Sequence, residues 1–403
     1  LGSRDDFRPE PAQTLLERLI EVAGSGDALE LASNLPVELA PHRARQVPPA
    51  VDAFDRIDLG AITRRLIELE AELTSRTPGV VLQLSWRAEL DAWRVRRSDG
   101  TVVSFAMPRC TLGARATTEG DGARHGISAM ASAPSPDLLW DDAIVAPFLN
   151  RAREAAGLAR ELPDAPTHPA GSFPAVIDYA LAKGLAHEAF GHASEADGYR
   201  SSILAREGKF RVGETVGADH VSIIDEPVEG DHAWQPYSAN GIARRRAVLV
   251  ERGRLKEGLS DPWSAGPGGV PLTGAARAES YRNAPQPRMS NIRIESDSPL
   301  AAPGPFEDYG PEAVRDLLAG AGIFERHPRV AYLSGYTGGQ VNAATGDFVF
   351  QCQAIYALSP SGIALHKPAI FSGSMFGALQ SVREAFGPLR LDAIGYCGKW
   401  GQS

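Results

Sequence analysis

Ala186-His187-Glu188-Ala189-Phe190-Gly191-His192, inside the stretch 175–196, is the segment on which the reading of this chain turns. Apolar spacing predicts one helix over 175–196. Two histidines with a glutamate beside the first follow the logic of helical zinc hydrolases. Neutral imidazoles bind the metal, and a carboxylate next to one of them reaches a water on it. Here, however, the histidines are five positions apart instead of four. On a regular α-helix, i and i+4 differ by about 40° around the axis, and i and i+5 by about 140°. His187 and His192 therefore cannot share an ion on an undistorted helix. An extra residue in one turn, a π-bulge, would return them to one face. Gly191 would tolerate that distortion, or an unwinding before His192. The sequence thus predicts an irregularity at 188–192; the plain alternative is two ordinary surface histidines.

A third ligand has to come from elsewhere. His220, His232, His327 and His366 are isolated and read as structural. Cys397 stands in Tyr396-Cys397-Gly398-Lys399, with Gly395 just before, and glycines let backbone approach an ion closely. As a thiolate it would complete a two-nitrogen, one-sulfur site with an open position, a known catalytic zinc arrangement. On composition alone, a single cysteine is as readily a buried hydrophobe.

Outward from the motif, 162–174 contains Pro163, Pro166, Pro169 and Pro174 and is the best boundary. Before it, helical spacing marks 12–22, 54–73 and 138–157. Runs at 80–86, 93–95 and 102–105 are β-prone. Ser98-Asp99-Gly100 and Glu119-Gly120-Asp121-Gly122 are hairpin turn signals. After it, strands are expected at 247–251, 291–294, 330–334, 348–357 and 362–366, and short helices at 311–319 and 375–385. The expected fold is α+β: an N-terminal α/β domain over 4–165 with antiparallel hairpins and helices, and a β-rich C-terminal domain over 166–403. The metal motif lies on a helix at the start of the latter.

Bulk properties narrow the classes. Net charge is −9, which argues against a nucleic-acid binder; Arg244-Arg245-Arg246 reads as a solvated turn. Three scattered cysteines form no disulfide framework and suit a reducing cytoplasm. No apolar run is long enough for a transmembrane helix. Leu1-Gly2-Ser3 reads as a tag remnant, with no signal pattern after it.

Further blocks extend the pattern. Glu195-Ala196-Asp197 follows the motif. Thr273-Gly274, Arg277, Glu279-Ser280-Tyr281 and Pro287-Arg288-Met289-Ser290-Asn291 come next. Gly338-Gly339-Gln340-Val341, Thr345-Gly346-Asp347-Phe348-Val349-Phe350 and Cys397-Gly398-Lys399 with Gly401-Gln402 complete the set. In this order they resemble the TldD/PmbA family, from about 175 to 403. The resemblance implies a peptidase holding one zinc per chain on His187, His192 and Cys397, with Glu188 as general base. It further implies two-subunit assemblies, either a homodimer or a heterodimer with a PmbA-type paralogue. Substrates would be flexible peptides or, in natural-product pathways, small amide conjugates. Arg277, Tyr281 and Arg288 are candidates for stabilising an oxyanion. Gly338, Gly339 and Gln340 are candidates for a bulge or turn beside the substrate, against a plain β-turn. Glu195 or Asp197 could orient a histidine, against a solvated helix end. A scaffold subunit without catalysis is the competing class, and a homodimeric amidase the competing enzyme.

Overall fold

The computed structural model describes residues 39–120, 122–302, 309–387 and 397–399. The helix expected at 12–22 lies outside the described residues, as do Gly395, Tyr396, Gly401 and Gln402. The fold is α+β.

Both N-terminal hairpins form. Val81–Arg96 pairs antiparallel with Val102–Gly120, closing at Arg96↔Val102. Gly100 at that turn has φ 94°, a left-handed conformation in which a Cβ is strained. Val102–Gly120 then pairs with Ala123–Ala133, and Arg43–Gln46 adds in parallel at Val102–Phe105. Helices Leu59–Arg76 and Asp142–Glu161 pack on the sheet, burying Leu73 and Phe148 against Leu82 and Leu112. Burying such a side chain is worth about 1.5–3 kcal/mol. Both helices start later than apolar spacing alone predicts, because a capping carboxylate sets the start. Asp58 accepts from Ala61 N–H and Asp141 from Ala143 N–H, each at 3.0 Å. The residues before them, Pro49–Arg56 and Leu138–Trp140, are 3₁₀ turns.

Beyond the proline-rich loop, three sheets surround the motif helix. One runs Gly362–His366, Ala354–Ser359, Val330–Ser334, Ala175–Ile177; a second Arg254–Leu255, Ala247–Glu251, Val221–Glu226, Asn291–Ser296. The third is Gly338–Asn342, Asp347–Gln351, Ile370–Ser374. Leu181, Leu185, Phe190, Leu249, Phe348 and Phe350 share the central core.

Two expectations need correction. The helix predicted over 175–196 starts at Tyr179, because Ala175–Ile177 pairs in parallel with Ala331–Leu333 and Asp178 caps the helix behind it. The strand predicted over 348–357 breaks at Cys352-Gln353. Its first half pairs in the three-stranded sheet and its second in a four-stranded one, so the chain must cross between them.

The N-terminal region is not isolated. Ala354 joins its core, with Tyr356 and Leu365 packed against it, and Trp234 and Tyr237 pack on Val103 and Phe105. No helix among the described residues is long and apolar enough to cross a membrane.

Candidate metal centre

Asp178 anchors the motif helix at both oxygens. Oδ1 accepts from Leu181 N–H at 2.9 Å and Oδ2 from Gly335 N–H at 2.6 Å. The helix is regular over Tyr179–Gly184, then becomes a π-helix over Leu185–Gly191. His192 N–H donates to the His187 carbonyl, five residues back, which is the π hydrogen bond. The two imidazoles thereby meet edge to face, with ring centroids 5.0 Å apart. The expected irregularity is present, but the role of Gly191 differs from expectation. Its φ −56° and ψ −55° are ordinary helical values. What excludes a side chain there is Met289, whose Sδ would lie 1.8 Å from a Cβ.

Cys397 joins this face from the far end of the chain. Its Sγ is 3.1 Å from His192 Nε2. One donor atom each from His187, Glu188, His192 and Cys397 lie within 4.8 Å of one another. It is the one such group found among the described residues. Ligand atoms around a tetrahedral zinc stand about 3.5 Å apart, given bonds of about 2.0 Å to nitrogen and 2.3 Å to sulfur. The donor set therefore fits a zinc ion, and two further observations agree. His187 Nε2 is buried with no hydrogen-bond partner. Burial, helped by the neighbouring His192, keeps His187 well below the usual histidine range, in the neutral form that binds metal. At His192 burial opposes charge, yet Cys397 and Glu195 outweigh it and raise the ring to about 10.

The remaining carboxylates divide the labour. Burial raises the Glu188 carboxyl above its ordinary range, and its Oε1 accepts from Tyr336 Oη at 3.3 Å. Burial, with Glu188 beside it, also pushes the Tyr336 phenol up, so it is a neutral donor. Glu195 is almost fully buried, unlike a solvated helix end. Its Oε1 stands 3.3 Å from His192 Nδ1 and 3.2 Å from Arg288 Nε, and its Oε2 accepts from Lys399 Nζ at 2.8 Å. Burial opposes its ionisation, but His192, Lys399 and Arg288 hold the carboxylate charged. Asp197 takes the other side of Lys399, at 2.8 and 2.9 Å.

Arg277 and Arg288 are engaged differently from an oxyanion hole. Both Nη2 atoms donate to the Cys397 carbonyl, at 2.9 and 3.0 Å. Behind them Arg244, ion-paired with Asp225 at 2.8 Å and buried, donates to the Arg288 carbonyl. Arg245 pairs with Glu257 and Arg246 with Glu226, so the arginine triplet is a set of ion pairs and not a solvated turn. Tyr281 is half exposed, with its hydroxyl accepting from Arg282. Gly338-Gly339-Gln340 is neither turn nor bulge. It opens the strand Gly338–Asn342, paired on one side with Asp347–Gln351 and lying against the π-helical segment. Gly339 is required there because Phe350 Cδ1 would lie 2.3 Å from a Cβ. Tyr336 escaped the sequence reading; its only signal was its place two residues before the Gly-Gly pair.

An α+β fold with a two-histidine, one-cysteine donor set beside a buried glutamate defines the class as a candidate metallohydrolase. A model of the PmbA/TldA metallopeptidase C-terminal domain matches residues 170–396. A metalloprotease of Methanocaldococcus jannaschii is 34% identical over 260 residues, covering 64% of this chain and 52% of its own length. A metalloprotease of Methanothermobacter thermautotrophicus is 28% identical, covering 98% of this chain and 81% of its own. The match thus spans about half of the first relative. TldE from Thermococcus kodakarensis shares the fold, with TM-score 0.70 at 17% identity over 95% of this chain and 80% of its own. The chain belongs to the TldD/PmbA family, a family of metallopeptidases.

Proposed function

We propose that this chain hydrolyses peptide or amide bonds, with one zinc held by His187, His192 and Cys397 and with Glu188 as general base. The observation that carries it is the convergence of these four side chains within 4.8 Å. When bound, zinc polarises an amide carbonyl and acidifies a water. Glu188 takes a proton from the attacking water and returns it to the leaving amine as the C–N bond breaks. Its raised carboxyl suits both halves of that transfer. Tyr336, kept neutral by burial and within reach of Glu188, is assigned to hydrogen-bond the oxygen that gains charge. Glu195 orients His192, and Arg277 and Arg288 hold the Cys397 backbone, in place of contacting substrate.

The edge of Gly338–Asn342 that no strand among the described residues pairs with supports an extended peptide as substrate, added as a further strand. Residues 166–403 are proposed as the metallopeptidase domain, since all four groups belong to it. The working form is proposed as a two-chain assembly, with a second copy or a PmbA-type paralogue.

Elemental analysis tests this reading, with peptide hydrolysis assayed on the same samples of wild type and Cys397→Ala. About one zinc per chain, lost together with activity in the variant, is expected. A wild type that takes up no zinc on reconstitution would make the scaffold reading the leading one.

A further inference from the structure

The N-terminal sheet carries a charged face that the metal centre does not use. Arg43 is in register with Val102, and Val102 with Arg96 on the next strand; Arg45 is likewise level with Ser104, and Ser104 with Arg94. Residues in register share a face, as do residues two apart on one strand. Four arginines therefore stand in two rows on one face, with Val102 and Ser104 between the rows. At this end of the sheet the opposite face is the buried one, where Val103, Phe105, Trp93, Val95 and Ala44 pack with Trp234 and Tyr237; toward the other end the helices cover the arginines' own face, over Leu82 and Leu112. Strand spacing puts the rows about 10 Å apart, with about 7 Å between arginines within a row.

All four arginines are exposed. Beside them, Arg97 pairs with Asp99 and Arg109 with Asp91, but among the described residues no carboxylate pairs with Arg43, Arg45, Arg94 or Arg96. Like charges this close repel one another and add nothing to the sheet. In a chain of net charge −9, such a cluster is a place for a ligand's negative charge. Guanidinium forks suit carboxylates. An extended peptide repeats every two residues over about 7 Å, the same interval as each arginine row. Its side chains alternate left and right, so acidic residues on one strand reach both rows.

We propose that this face binds an extended acidic peptide segment along the Val102–Ser104 trough, with aspartate or glutamate side chains on the two rows. It rests on the peptidase reading in that the segment would be part of a substrate, held away from the scissile bond. A nucleic acid fits less well. The trough offers a valine and a serine but no aromatic ring for a base to stack on.

The test is fluorescence anisotropy with a labelled peptide of consecutive glutamates, whose carboxylates fall on both sides of an extended strand, on the full chain and on Glu188→Gln, which keeps hydrolysis out of the measurement. Salt-sensitive binding is expected, equal in the two proteins. It should weaken on the order of tenfold or more in Arg94→Gln/Arg96→Gln and in Arg43→Gln/Arg45→Gln. Thermal midpoint and cleavage of a short neutral peptide should stay unchanged in both. Binding that survives both double variants overturns the proposal, as does tighter arginine-dependent binding of a single-stranded oligonucleotide. Arginine-dependent peptide binding by a chain that hydrolyses nothing leaves this face standing and removes only the peptidase reading.

Discussion

His187, Glu188 and His192 are fixed by consecutive backbone, a π-helical segment of seven residues and the residue that follows it, whereas Cys397 is fixed by side chains drawn from elsewhere. The motif side needs only hydrogen bonds along one helix, the Asp178 cap and the Met289 contact at Gly191. The cysteine side needs Arg277 and Arg288 on its carbonyl and Lys399 locked between Glu195 and Asp197. The two sides meet at Glu195, whose Oε1 faces His192 and Arg288 and whose Oε2 faces Lys399. A local device fixes geometry cheaply, but its reach is one turn. A distant ligand needs charge to hold it, and buried charge is costly unless every partner is present.

Four substitutions break or sharpen that contrast. The largest effect is expected at Glu188→Gln, which removes the proposed base and leaves every proposed ligand. Hydrolysis should fall on the order of 10²–10⁴-fold with zinc content unchanged, checked by turnover and elemental analysis on one sample. Loss of zinc together with activity would make Glu188 a ligand instead. Cys397→Ala comes next. Zinc affinity should fall by more than the roughly 10–100-fold typical of losing an outer hydrogen-bond partner. The zinc-free chain should keep its thermal midpoint, because the helical side stands without the cysteine.

Lys399→Met tests the latch alone. It unties Cys397-Gly398-Lys399 while leaving all three proposed ligands, so zinc affinity should drop roughly 10–100-fold. With cobalt in place of zinc, the thiolate-to-metal absorption band should weaken or shift, a change that a merely surface lysine would not cause. The smallest effect is expected at Gly191→Ala. The new methyl meets Met289, and overpacking of this kind costs about 1–3 kcal/mol, read from denaturant unfolding. Met289→Ala in the same chain should restore part of the lost stability; no restoration would mean that Gly191 matters through backbone freedom after all.

Much of the fold was legible in local patterns. Turn chemistry marked both hairpins, including Gly100 at φ 94°. Helix spacing marked Leu59–Arg76 and Asp142–Glu161, although the capping aspartates set their starts. The five-residue interval between His187 and His192 implied a local irregularity at 188–192, a π-bulge or an unwinding, if both rings are to meet; the structure has the π-helix. Cys397 was singled out by its flanking glycines and by the family blocks.

What the sequence by itself determined, then, was whatever depends on residues a few positions apart: hairpins, helices and the need for an irregular turn between the paired histidines. Tertiary structure alone decided the rest. It brought Tyr336 to Glu188, turned Arg277 and Arg288 onto the Cys397 carbonyl, and buried Glu195 between His192 and Lys399. It also divided 348–357 between two sheets and made a paired strand of Gly338-Gly339-Gln340. The physical reason is range. Backbone hydrogen bonding has a fixed period that sequence spacing displays, whereas a charged side chain finds its partner by position in space, and nothing in local spacing records which of many carboxylates that partner is.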